Sequence, residues 1–167
     1  MPHKSQFAGH KGDQGMSRSR IRLGSIPSVF LRLALAASFL SAVGDRFGLW
    51  GTFGQPNVAW GDFSHFLEYT QKLNWYLPAS MIPILGVLST GAEVLLGLLL
   101  LIGWRTRVAA LLGGILLLTF GSAMALALGV KAPLNFSVFS AAAGALLLTE
   151  CERFPFSMDE FLLRHPR

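Results

Sequence analysis

Residues 82–102 read IPILGVLSTGAEVLLGLLLLI, a run of twenty-one in which Glu93 is the single charge. A helix rises about 1.5 Å per residue, so a run of this length matches the roughly 30 Å hydrocarbon core of a bilayer. Its thirteen Leu, Ile and Val residues favour insertion by about 4–8 kcal/mol, against a cost of about 3 kcal/mol for one central acid. The run therefore reads as a membrane-spanning helix that carries a carboxyl.

The rest of the chain agrees with that reading. Of 167 residues, 52% are hydrophobic and only 14% are charged. An ordinary soluble domain carries about a quarter charged residues, so the composition indicates an integral membrane protein. The net charge of +5 does not point to nucleic acid, because the basic residues cluster beside hydrophobic runs, where they orient spans and meet anionic lipid. The single cysteine, Cys151, forms neither an internal disulfide nor a CxxC redox pair, which argues against self-contained thiol oxidoreductase chemistry.

Working outward, residues 1–25 form a basic tail without apolar periodicity, expected to be disordered and lipid-facing. His3 and His10 lie seven apart on it, with no Cys or acidic cluster nearby to complete a metal site. A first span is predicted over 26–47. Pro27 sits in its opening turn, Arg32 is placed to snorkel toward headgroups, and Asp45-Arg46 mark the far end. Ala42-Val43-Gly44 resembles a signal-peptide cleavage site, but the long leader and Arg32 favour a retained helix. Residues 48–81 are rich in aromatics. Trp60, Phe63, Leu67 and Thr70 recur at helical spacing, as expected of a short interfacial helix or an aromatic cap over a cavity.

After the 82–102 span come a tight turn, Gly103-Trp104-Arg105-Thr106-Arg107, and further spans over 108–130 and 133–149. The predicted fold is an all-α membrane protein: a four-transmembrane-helix bundle over 26–151, with 152–167 as a cytoplasmic tail. Ser157-Met158-Asp159-Glu160 in that tail reads as a capping box opening a short helix. With both termini cytoplasmic, ten basic residues fall inside and two, Lys72 and Lys131, fall outside. The positive-inside rule favours that orientation.

Chemistry concentrates on few residues. Gly86, Thr90, Glu93 and Gly97 make one helix stripe, so Glu93 is expected to face the bundle, with Leu95, Leu98 and Leu99 toward lipid. A buried carboxyl survives by staying protonated or by pairing with a cation, and Arg32 and Arg46 are the candidates. Glu93 is the candidate site for a proton or a polar ligand such as a quinone head; the alternative is a helix–helix hydrogen bond that fixes packing. Asp45 and Arg46 are candidate binding residues, or else an interfacial anchor. Asn135 is a further candidate, dependent on the last helix lying beside the 82–102 span. No predicted span contains a histidine, which excludes bis-histidine haem ligation within the bundle. No metal site is expected.

The motifs Arg32-Leu33-Ala34-Leu35, Asp45-Arg46-Phe47, Pro56-Asn57-Val58-Ala59-Trp60, Ala92-Glu93-Val94-Leu95-Leu96-Gly97, Gly103-Trp104-Arg105-Thr106-Arg107 and Lys131-Ala132-Pro133-Leu134-Asn135 resemble the DoxX family of small bacterial membrane proteins over about 30–150. The family often has Lys where Arg46 stands, which keeps the charge but changes its geometry. The resemblance implies a four-helix inner-membrane protein, an accessory subunit of a quinone- or thiol/sulfur-linked redox complex. It implies no cofactor in this chain, a quinone as the candidate small molecule, and any redox activity resting on a cofactor-bearing partner subunit. A homo-oligomer is compatible with it. The competing readings are a transport or binding protein for a small solute, proton or lipid, and a scaffold without activity.

Overall fold

The computed structural model describes residues 25–164 and is helical, with no strand among the described residues. The basic N-terminal tail, with His3 and His10, lies outside that range. Helix α1 spans Ser25–Arg46, α2 Phe63–Leu73, α3 Ile82–Ile102, α4 Thr106–Leu128, α5 Lys131–Asn135, α6 Val138–Thr149 and α7 Met158–Arg164. A 3₁₀ turn, Ala79–Met81, leads into α3. Three of the helices, α1, α3 and α4, are long and apolar enough to cross a membrane. The protein is membrane-embedded.

The α3 helix has the predicted bounds, and local chemistry explains both ends. Pro83 occupies its first turn, where a missing N–H costs nothing. Gly103 ends it in the left-handed region at φ 74°, its N–H and that of Trp104 both returning to the Leu99 carbonyl. A β-carbon at Gly103 would overlap Arg32 Nη1 and Ser157.

Small residues set the helix pairings. The α1 helix packs on α3, and α4 on α6. A β-carbon at Gly97 would come within 2.9 Å of Leu40, and one at Gly114 within 2.9 Å of Leu146. These close approaches gain dispersion contacts in lipid, where no hydrophobic effect draws apolar helices together. The core is built from Leu35, Ala36 and Phe39 of α1, Leu96 and Leu100 of α3, Ala109 and Ala110 of α4, and Ala145 and Leu148 of α6. Leu95 and Leu98 face outward as expected, whereas Leu99 turns partly inward against the core.

Two expectations change. The predicted continuous span over 133–149 is broken: α5 stops at Asn135, Ser137 sits in the left-handed region at φ 54°, and α6 starts afresh. Asn and Ser side chains compete for backbone hydrogen bonds and favour such breaks. Twelve residues in α6 rise only about 18 Å, short of a bilayer core. Arg32 does not snorkel. It is 2% exposed, and its Nη2 donates to the Phe156 carbonyl at 2.8 Å, because the segment after residue 150 folds back over the bundle end.

That return is fastened at several points. Asp159 accepts from the backbone N–H groups of Arg105 and Thr106, both at 2.8 Å, and so caps α4 from 53 residues or more downstream. The Asp159 N–H donates to the Gly103 carbonyl, and Arg107 Nη2 donates to the Cys151 carbonyl. Half of the expected capping box is seen, with Glu160 N–H donating to Ser157 Oγ at 3.1 Å.

Candidate functional site

A membrane helix rich in leucine stabilises a carboxylate only where a neighbour supplies positive charge. The stripe on α3 turns Glu93 inward, where it is 3% exposed. Arg46, the last residue of α1, also turns inward and is 2% exposed. Its Nη1 forms an ion pair with Glu93 Oε2 and donates to Thr90 Oγ1 at 2.7 Å. Thr90 lies three residues before Glu93, so one face of α3 presents both acceptors to the same guanidinium.

Aromatic rings close the site. The Arg46 guanidinium lies 3.8 Å from the centre of the Phe66 ring and 5.2 Å from that of Trp60. Trp60 and Phe66 meet edge to face with centroids 5.3 Å apart. Cations bind aromatic faces most strongly when both are desolvated, about 2 kcal/mol or more. The α2 helix brings Phe66 into place because Gly86 of α3 leaves room for Leu67, which a β-carbon there would strike.

Asp45 plays a separate part. Its Oδ2 accepts from the N–H groups of Ala59 at 2.8 Å and Trp60 at 3.3 Å, and its Oδ1 from that of Gly61 at 3.3 Å. The carboxylate thus gathers the loop that carries Trp60. Gly61 is at φ 69°, and a β-carbon there would collide with the Thr52–Phe53 backbone. At the start of α2, Asp62 caps the helix through the His65 N–H at 2.9 Å, accepts from Ser64 Oγ at 2.6 Å and meets His65 Nδ1 at 2.8 Å. The Ser64 hydroxyl first, then the His65 N–H, hold the Asp62 carboxyl well below its ordinary range. The His65 ring stacks on Phe53 at 3.8 Å.

Not all of the valence is used. Arg46 Nε is buried without a hydrogen-bond partner, and Glu93 Oε2 touches Arg46 without hydrogen-bond geometry. Chemically, the group consists of a guanidinium, a carboxyl, a hydroxyl and two aromatic rings in mutual contact.

Of the sequence candidates, Glu93, Arg46 and Asp45 converge on one end of the α1–α3 pair. Asn135 does not join them: it is exposed on α5, which packs on α4 and α6. An interfacial anchor does not describe Asp45 and Arg46, since both side chains are buried, at 6% and 2% exposure. The sequence reading did not single out Phe66 or assign Thr90 as a partner. The signal for Thr90 was its place in the Glu93 stripe; Phe66 lies beside the predicted face of α2. Among the described residues, no three His, Cys, Asp or Glu side chains come together as metal ligands.

Fold and site together define a helical membrane protein with a buried arginine–glutamate pair beneath an aromatic roof. Comparison with family models, curated proteins and solved structures finds no match.

Proposed function

We propose that this is a DoxX-like protein of a bacterial inner membrane with both termini cytoplasmic, serving as the membrane subunit of a quinone- or thiol/sulfur-linked redox complex. In this reading α6, preceded by α5, makes the fourth, short membrane segment. The observation that carries the proposal is the Arg46–Glu93 pair: an arginine and a glutamate buried side by side, Arg46 joined to Thr90 and faced by Phe66 and Trp60. An intramembrane ion pair costs several kcal/mol in desolvation, which a packing role alone would meet more cheaply with small apolar residues.

The ligand that this reading expects is a planar carbonyl compound. In this reading a quinone oxygen accepts from the guanidinium, and Glu93 relays one of the two protons that two-electron reduction to the quinol consumes, the second arriving from water. Electrons come from a cofactor on a partner subunit. Mass spectrometry of the protein purified gently from native membranes tests this reading. A stoichiometric quinone together with a flavin, haem or iron–sulfur partner supports it. Recovery of the chain alone with another solute assigns it instead to transport or binding, and recovery with nothing bound favours a scaffold.

A further inference from the structure

Helices α3 and α4 meet in the turn Gly103-Trp104-Arg105, so that turn marks one boundary of the membrane. Trp104 is half exposed there, at the level where indole rings settle between acyl chains and headgroups. The chain after residue 150 is fastened to the same turn. Asp159 accepts from the N–H groups of Arg105 and Thr106, and its own N–H donates to the Gly103 carbonyl. The Phe156 carbonyl accepts from Arg32. These fastenings use backbone groups and polar side chains, and the apolar side chains beside them are exposed. Phe156 is 88% exposed, Leu163 is 76%, and Met158 and Leu162 are 42% and 52%. Exposed apolar groups gathered in so short a segment mark an interaction surface.

That surface is continuous with the exposed apolar rows of the two spanning helices. Ile102, the last residue of α3, is exposed and lines one surface cavity of about 600 Å³ together with Phe156 and Met158. Leu98 and Leu95, then Leu88 and Ile84, continue its exposed row along α3. Val108, in the first turn of α4, lines a second cavity of about 570 Å³ with Leu162 and Leu163. Leu111, Leu112 and Ile115 follow it, exposed, on α4. In a spanning helix such rows meet acyl chains. Charged side chains of both signs line the second cavity as well, which suits the headgroup boundary and argues against burial deep in hydrocarbon.

We propose that residues 156–163 form an interfacial anchor whose occupant is the bilayer itself. Phe156, Met158, Leu162 and Leu163 seat among the first acyl-chain methylenes of the adjoining leaflet and extend the lipid-facing rows of α3 and α4 around the bundle end. Position decides between lipid and protein as the cover. A patch tied to the turn between two spans, and continuous with the exposed row of each, meets lipid without any change of shape. An anchor seated in this way also holds Asp159 against the start of α4. The surface is independent of the Arg46–Glu93 pair and of any redox role.

The test is power-saturation electron paramagnetic resonance of the full chain in liposomes of phosphatidylcholine and phosphatidylglycerol. The protein carries Cys151→Ser and one nitroxide label, on Leu163→Cys or, separately, on Phe156→Cys. Each label should collide several-fold more often with oxygen, which concentrates among acyl chains, than with a water-soluble nickel chelate, both taken relative to free label. Met158→Ser with Leu162→Ser changes two exposed positions, and should shift the Leu163 label toward the nickel chelate. A label that favours the chelate at either position overturns the proposal, because the patch then faces water. Protection from both reagents also overturns it: with spin–spin broadening the cover is a second copy, and without it another segment of the chain. So does an unchanged ratio in the serine variant, since the label alone would then account for the insertion.

Discussion

Replacing Glu93 by alanine removes the carboxylate that pairs with the Arg46 guanidinium at the centre of the site. Arg46 keeps its bond to Thr90 Oγ1 at 2.7 Å and its seat on the Phe66 ring at 3.8 Å. Neither partner carries a negative charge, so the guanidinium is left buried and uncompensated. Breaking a buried pair in this way costs about 3–5 kcal/mol. Glu93→Gln keeps the volume and an acceptor oxygen, so its cost should be smaller, about 2 kcal/mol, the worth of a hydrogen bond to a charged group. In a chain of this size each kcal/mol moves the melting temperature by about 2–4 °C. The alanine variant should therefore melt about 10 °C lower in detergent or nanodiscs, and the glutamine variant about half as far. Arg46→Ala combined with Glu93→Ala strands no charge, so it should lose about 2 kcal/mol less than the two single losses summed. Tryptophan-detected thermal unfolding measures the parent, the three single variants and the double variant. Strict additivity, or an alanine variant as stable as the parent, would refute the argument that the pair compensates itself.

Three other outcomes follow from the same geometry. Asp45→Ala frees the N–H groups of Ala59, Trp60 and Gly61, and their hydrogen exchange should accelerate about tenfold or more, the cost of losing charge-assisted bonds. Unchanged exchange there would mean that the loop holds itself. The depressed Asp62 carboxyl stabilises the start of α2 fully above its ordinary value of 3.8, and this contribution is lost as pH falls from there through the lower native value. Amide exchange at Ser64–Phe66, corrected for its intrinsic pH dependence, should thus rise only in acid, and Asp62→Ala should abolish that dependence. Burial holds the Cys151 thiol above its ordinary range, with Arg107 opposing, so maleimide labelling at neutral pH should be slow. Asp159→Ala, which uncaps α4 and releases the C-terminal return, should speed it several-fold.

How far the sequence carried depends on the kind of signal. The bounds of α3 were legible because Pro83, the leucine run and Gly103 each act within one turn of the chain. The inward face of Glu93 was legible because Gly86, Thr90 and Gly97 share its stripe and small residues pack against protein in a membrane. The choice between Arg32 and Arg46 as its partner was not legible. Both lie on α1, and only tertiary packing brings the end of that helix to Glu93 while sending Arg32 to the Phe156 carbonyl. Periodicity located α2 but did not single out Phe66, although it lies four residues before Thr70 and shares with it the buried face of α2. The break at Ser137 was hidden for another reason. Asn135 and Ser137 favour a break, but the apolar pattern runs on across them and a single left-handed residue leaves no mark on it. Asp159 as the cap of α4 was beyond any local rule, since capping signals are read within a few residues of the helix they serve.

The proposed quinone site lies at the Arg46–Glu93 pair, beside Trp60 and Phe66. A titration with a short-chain soluble quinone, followed by fluorescence in a variant that keeps Trp60 as its sole tryptophan, tests it directly. The account predicts saturable quenching in the otherwise native site, a loss of affinity of about tenfold or more in Glu93→Gln or Arg46→Lys, and none in Asn135→Ala. Non-saturable quenching, or saturable quenching that is indifferent to Glu93 and Arg46, would contradict it.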